Sequence, residues 1–247
     1  MLATKLSPLD ETVVYPVRPD VSVDLRRRIA SLERGERSAR GAIGFGVPEI
    51  DCHLPEGGLT VGAVHEFLGN AASAFAAMVA GRLSGPVLWC LNASRREEPY
   101  GPGLEALGLD PSRLVLACCR DAKEMLWTIE EGLRSTAPVV VIAEPEMDIG
   151  LIESRRLQLA AEVGGTLGLV LRQGGDVGRL APSAVTSRWR IDPEPGGGWR
   201  LILRRCRGAI DAGNEWRTRF NDASGGFTLV AEVEDRPGTA AGRLRPA

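Results

Sequence analysis

Lysine is almost missing from this chain: Lys5 and Lys123 are the only two in 247 residues, although basic residues number 30. Arginine therefore carries nearly all the positive charge. A GC-rich coding sequence explains that bias together with the abundant Ala and Gly. The scarcity still limits chemistry, because a phosphate-binding lysine has only two places to be. Histidine is equally scarce, with His53 and His65 alone, and the five cysteines (Cys52, Cys90, Cys118, Cys119 and Cys206) form no CxxC pair. Metal-ligand spacing is thus lacking and no zinc site is expected. Cys90, Cys118 and Cys206 fall in strand-like apolar runs and are expected to be buried, reduced thiols. No apolar run reaches the ~18 residues of a membrane span. The opening stretch MLATKLSPLDETVVYPVRPD has no basic start leading into an apolar core, so no secretory signal is expected and the cytoplasm is the expected compartment. A formal charge of −2 with 44% apolar residues describes a soluble globular chain, long enough for one sizeable α/β domain or for one domain plus a small appendage.

What is present is a rhythm. Residues 1–20 are aperiodic and read as an arm, and 22–34 as a short helix. There Val23, Ile29 and Leu32 make an apolar stripe among Arg26, Arg27 and Arg28. Gly57-Gly58 marks a turn, Ala63–Leu68 a strand, and Ala71–Leu83 a helix apolar on every side, hence buried. Strand-like runs at Pro86–Leu91, Leu114–Cys118, Val139–Ala143 and Leu167–Leu171 then alternate with a short helical piece at Leu104–Leu107 and helices at Asp121–Arg134 and Ile149–Val163. Such alternation predicts βαβ units and a mainly parallel sheet with helices on both faces. From about residue 184 the pattern changes. AVTSRWRI and GWRLILRRC, joined by DPEPGGG, read as an antiparallel hairpin, with Trp199, Leu201 and Leu203 on one face and Arg200, Ile202 and Arg204 on the other. The expected organisation is an N-terminal arm and helix (1–40), a core (41–192), a C-terminal strand extension (193–231) and a disordered tail (232–247).

In a parallel α/β sheet, ligands bind beyond the C-terminal ends of the strands. The turn after the first strand is where G-x-x-x-x-G-K-[ST] would lie. Here the segment is Gly69-Asn70-Ala71-Ala72-Ser73-Ala74-Phe75-Ala76. The first glycine is in place. Ala74 stands for the second, Phe75 for the lysine and Ala76 for the hydroxyl residue. The lysine would meet the β- and γ-phosphates and the hydroxyl would hold Mg²⁺; phenylalanine and alanine supply neither. No Gly-Lys dipeptide occurs elsewhere in the chain.

The flanks resemble RecA. Ile50-Asp51, Gly57-Gly58-Leu59 and Gly69 occupy the places of its entry segment, and Leu107-Gly108-Leu109-Asp110 leads to a run like its Walker B strand. SRRLQLAAEVGGTLGLVLRQ resembles the helix and strand that end in a γ-phosphate sensor, at Gln173. The resemblance spans roughly residues 22–192 and implies a RecA-like three-layer αβα fold. The departures cluster at catalytic places. Glu144 stands where the Walker B aspartate is expected, and the water-polarising glutamate falls near Ser94, with Glu97 and Glu98 following. Beyond the core, Trp199-Arg200-Leu201-Ile202-Leu203-Arg204-Arg205-Cys206-Arg207-Gly208 is similar to the Trp/Arg-rich strand of the ImuA family, whose members are short and lack the RecA C-terminal domain.

That resemblance implies a non-catalytic adaptor in SOS-induced translesion DNA synthesis, with no cofactor, no metal and no membrane. The implied partners are an ImuB-type polymerase relative, RecA, and indirectly an error-prone polymerase. Candidate partner-binding residues are Arg26, Arg27, Ile29 and Leu32 in the N-terminal helix, and Trp199, Arg204, Arg205, Arg207 and Trp216 in the extension. Two alternatives stay open. One is a SulA-like division inhibitor. The other is an ATPase with an atypical site that recruits Lys123 or an arginine. Ten arginines against five acids over 172–219, interleaved with Trp189, Trp199 and Trp216, leave three readings: a partner surface, a structural role, or single-stranded DNA.

Overall fold

A computed structural model describes residues 41–95, 98–172, 182–209, 214–221 and 226–230. The expected helix at 22–34, the sensor Gln173, Glu97 and the tail lie outside these residues, and so do Arg26, Arg27, Ile29 and Leu32.

The expected layering is there. A two-stranded ribbon, β1 (Ala42–Ile43) with β2 (Leu59–Thr60), encloses a short helix α1 (Pro48–Asp51). Asp51 explains the Ile50-Asp51 motif. Its carboxylate accepts the backbone N–H groups of Phe45, Gly46 and Val47 at 2.7, 2.9 and 3.2 Å, and so closes the entry loop on itself.

Among the described residues the main sheet has nine strands: β3 (Val64–Leu68), β4 (Val87–Asn92), β5 (Leu114–Cys119), β6 (Val140–Ala143), β7 (Leu167–Arg172), β8 (Ser187–Glu194), β9 (Gly198–Cys206), β10 (Glu215–Asn221) and β11 (Gly226–Leu229). Their order is β11-β10-β9-β8-β3-β7-β6-β4-β5. The six strands from β8 to β5 are parallel, and β9, β10 and β11 continue antiparallel. The expected antiparallel hairpin is therefore the first half of a four-stranded antiparallel wing. β3, β6 and β7 are buried along their whole length, as strands covered on both faces must be.

Helix α2 (Ala72–Gly81) and the short α3 (Gly101–Ala106) cover one face; α4 (Ala122–Arg134) and α5 (Leu151–Gly164) cover the other. Helix α2 is buried from Phe75 to Ala80, which agrees with its all-round apolar sequence. Asp121 caps α4 by accepting Glu124 N–H at 2.8 Å.

One expectation needs correcting. Cys90 and Cys119 are buried and Cys206 is half-buried, but Cys118 is exposed. It lies on β5, the last strand in the sheet order, beside which no further strand lies among the described residues.

Candidate functional site

The C-terminal ends of β3, β4, β6 and β7 share one edge of the sheet. The turn leaving β3 is short: Gly69, Asn70 and Ala71 alone separate Leu68 from the helix. Gly69 has φ +101°, and a Cβ there would stand 2.4 Å from the Ile191 carbonyl oxygen, so only glycine fits. The turn is fastened to its neighbours. Gly69 N–H donates to the Arg172 carbonyl and Ala71 N–H to the Ile191 carbonyl, both at 3.2 Å. Both N–H groups are thus engaged by backbone carbonyls. Positions 72–74, which the phosphate-loop signature assigns to open loop, are already wound into the first helical turn, and Phe75 N–H donates to Ala71 at 3.0 Å.

Ala74, Phe75 and Ala76 thus sit on a helix. Phe75 and Ala76 are fully buried and Ala74 half-buried. The Phe75 ring contacts Phe45 and Phe67 at 5.3 Å and Trp199 at 5.7 Å. Phe45 meets Trp189 at 5.3 Å, and Trp189 meets Trp216 at 6.0 Å. The position that would carry the lysine is the hub of an aromatic cluster that joins the parallel core to the antiparallel wing.

The Walker B position is also remade. Glu144 is buried, and its carboxylate accepts Trp89 Nε1–H at 3.0 Å and Ser73 Oγ–H at 3.4 Å, and pairs with the Arg95 guanidinium. The Arg95 guanidinium is thus seated against the carboxylate that the RecA resemblance puts at the Walker B place. Beside it, α2, α3 and the loop after β4 enclose a cleft of about 300 Å³ lined by Ser73, Ala77, Arg95, Tyr100, Leu104 and Glu144. These residues do not fit a magnesium nucleotide: the turn brings no cation, its Gly69 and Ala71 amides are already bonded, and Glu144 already holds an arginine. Lys123 is on α4, across the sheet from α2.

Sequence reading missed Ser73, Trp89 and Arg95 as the company of Glu144. It also missed a second buried charge cluster. Glu66, midway along β3, lies opposite Arg188 in the β3–β8 register and pairs with both Arg188 and Arg172, while Arg172 reaches Asp148. A carboxylate inside the buried run VHEFL was the available signal, since such a charge demands a partner. His65, beside it, is fully enclosed. Its Nδ1 lies 2.7 Å from Ser187 Oγ and its Nε2 3.0 Å from the Thr60 carbonyl, and Ser187 Oγ accepts Trp189 Nε1–H at 2.9 Å. The Thr60 carbonyl only accepts, so the ring proton is on Nε2. Burial pushes the imidazole pKa down to about 4.

In the wing, Trp189 is wholly buried, and Trp199 and Trp216 are half-buried against the core. Arg204, Arg205 and Arg207 are exposed at the end of β9; Arg205 donates to the Ser183 carbonyl at 2.7 Å and Arg207 to that of Ala184 at 3.3 Å. The arginines and tryptophans interleave in sequence because they alternate across strands, and the three indoles face inward.

No family model matches the chain. Protein ImuA of Caulobacter vibrioides, in strains NA1000 / CB15N and ATCC 19089 / CIP 103742 / CB 15, is 35% identical in an alignment 243 positions long that covers 85% of this chain and 97% of that protein. Among solved structures, the crystal structure of the RadB recombinase superposes with a TM-score of 0.58 at 18% identity, covering 76% of this chain and 99% of the other. At that identity the likeness speaks for the fold alone, and the fold is RecA-like.

Proposed function

The chain belongs to the ImuA family, and from that membership we propose that it serves damage-induced translesion mutagenesis as a non-catalytic RecA-like adaptor. The observation that supports this most is the place of Phe75. A phosphoryl-transfer site works by positioning and charge, and here the lysine position is a buried aromatic hub that a cation cannot enter without breaking the core. The Arg95–Glu144 pair points the same way, since it fills the metal side of the site from within. On this reading the scaffold is used for its surfaces. Its partners are an ImuB-type polymerase relative and RecA, with an error-prone polymerase reached indirectly, and its place is the bacterial cytoplasm. Two measurements test it. Titrating the purified protein with Mg-ATP in a calorimeter should give no binding heat and no phosphate release. Co-expression with the ImuB-type protein of the same organism should yield a complex that survives gel filtration. Stoichiometric ATP binding would defeat the non-catalytic half; a folded protein that never co-elutes would defeat the adaptor half.

A further inference from the structure

We infer that the outward face of the β8–β10 wing is a contact surface for the phosphodiester backbone of a nucleic acid. The strands of the wing are two-sided. Trp189, Ile191, Leu201, Leu203 and Trp216 point into the core, and the residues between them point the other way. On that other side the helical layer stops short. The cluster buried under α4 and α5 draws on β3 to β7 and takes no residue from β8, β9 or β10. Among the described residues, the outward face of the wing is therefore left to its own side chains.

Most of those side chains are arginines. The register aligns Asp192, Arg200 and Arg217 in one cross-strand row, and Arg190, Ile202 and Glu215 in the next. The acids of the face are already answered. Arg190 pairs with Asp192 at 2.6 Å, and Arg200 lies 3.6, 3.9 and 3.8 Å from Asp192, Glu194 and Glu215. Arg204, Arg205, Arg217 and Arg219, by contrast, are exposed and enter no ion pair among the described residues. With Arg207 at the end of β9, the described part of 189–219 holds seven arginines against three acids, a surplus of four positive charges. The surplus is local. Of the 30 basic and 32 acidic residues in the chain, eight and five fall within 183–230, loops included, which leaves 22 and 27 elsewhere. Arginine in place of lysine is a bias of the whole chain, but its crowding on one face of a net acidic protein is not.

Charge selects an anion, and the geometry selects a repeating one. A guanidinium fork meets a phosphate with two parallel hydrogen bonds. Arg217 and Arg219, two apart on β10, offer forks about 7 Å apart. Along β9, Gly198 to Arg205 runs about 23 Å, the axial length of about seven nucleotides. Trp189, Trp199 and Trp216 face inward, so the surface has no indole platform for bases. Contact is with the backbone and carries no sequence preference.

This goes beyond the adaptor reading and stands apart from it: co-elution tests the reading, and DNA titration of the purified full chain tests the surface. The probes are a fluorescein-labelled, mixed-sequence DNA of about 20 nucleotides, single-stranded and as a duplex, followed by anisotropy between about 50 and 200 mM NaCl. Wild type is expected to bind with a Kd of about 10⁻⁵ M or tighter at the lower salt. For four neutralised phosphates, log K should fall against log salt with a slope of about −3 on the single strand and about −4 on the duplex, and the tighter arm identifies the form bound. Arg217→Glu with Arg219→Glu should weaken binding about tenfold or more and flatten the slope by about half. Arg217→Lys with Arg219→Lys keeps the charge and should bind as wild type does. Arg204→Glu, toward the other end of β9, should weaken binding severalfold, and it carries the test alone if the urea midpoint shows that the double Glu variant is unfolded. No binding, or binding that the Glu variants leave intact, would overturn the inference. So would a poly-glutamate that displaces the DNA equally well at equal charge, in favour of an acidic protein on this face.

Discussion

Phe75 and Trp199 meet edge to face, their ring centroids 5.7 Å apart and their planes at 81°. One ring stands where a RecA-type protein keeps its phosphate lysine. The other comes from the strand that continues the sheet beyond the parallel core. The helix that follows the β3 turn and the antiparallel wing therefore share one piece of hydrophobic core.

The first prediction follows from that sharing. Phe75→Lys restores the missing residue type but places a cation among Phe45, Phe67 and Trp199, where no described carboxylate has been placed beside it. Emptying such an aromatic site alone costs about 3–5 kcal/mol, and burying a charge adds to it. The variant is expected to unfold at much lower urea than wild type and still to give no heat with Mg-ATP.

A double-mutant cycle measures the contact itself. Phe75→Leu and Trp199→Leu are each expected to lower stability, with a coupling of about 0.5–1.5 kcal/mol beyond area burial. Chemical denaturation of the four proteins gives the number. Additive effects would mean that the rings are neighbours without mutual stabilisation.

Arg95→Ala removes the cation from a buried carboxylate while Trp89 and Ser73 still donate to it. The expected loss is about 1–3 kcal/mol. Arg95→Ala combined with Glu144→Gln should recover part of it, because the neutral amide no longer needs a counter-ion. The same two proteins, titrated with Mg²⁺, show whether Arg95 screens Glu144 from metal: an Arg95→Ala protein that stays blind to Mg²⁺ would mean that the pocket excludes metal by shape.

His65 supplies a pH dependence. Its pKa is about 4 in the folded chain and near 6.5 in an unfolded one, so the unfolded chain takes up the proton first. The contribution is whole above pH 6.5 and is lost as pH falls from 6.5 toward 4, by about 3 kcal/mol in all. His65→Gln keeps a donor for Thr60 and removes the titration. Urea midpoints at pH 7 and pH 4.5 should differ less for this variant than for wild type; equal differences would refute the assignment.

The parallel core was legible because strands covered on both faces are continuous apolar runs: Val139–Ala143 and Leu167–Leu171 could hardly be anything else. Helix α2 announced its burial by having no polar side. The last two strands were harder. Glu215–Asn221 alternates Trp216 and Thr218 inward with Arg217 and Arg219 outward, so the period was present, but its arginines and its lone indole read equally well as a binding surface. Cys118 was misjudged because sequence does not reveal which strand ends a sheet. At the site, the substitutions at Ala74, Phe75 and Ala76 were visible, but their geometry was not. That the loop had shortened to three residues depends on where the helix starts, and that Glu144 had found Arg95 depends on a contact 49 residues apart in sequence.

The bond from Ala71 N–H to the Ile191 carbonyl also has a historical consequence. A lineage that had merely lost its lysine could regain it by one codon change. Here the turn is stitched to the strand that begins the wing, so rebuilding a phosphate cradle would require an insertion, a break in that stitch and the clearing of an aromatic hub, all together. Each step taken alone harms the fold before it helps any chemistry. On the adaptor reading, a descent from ATPase to scaffold would work as a ratchet, with this short turn as its pawl.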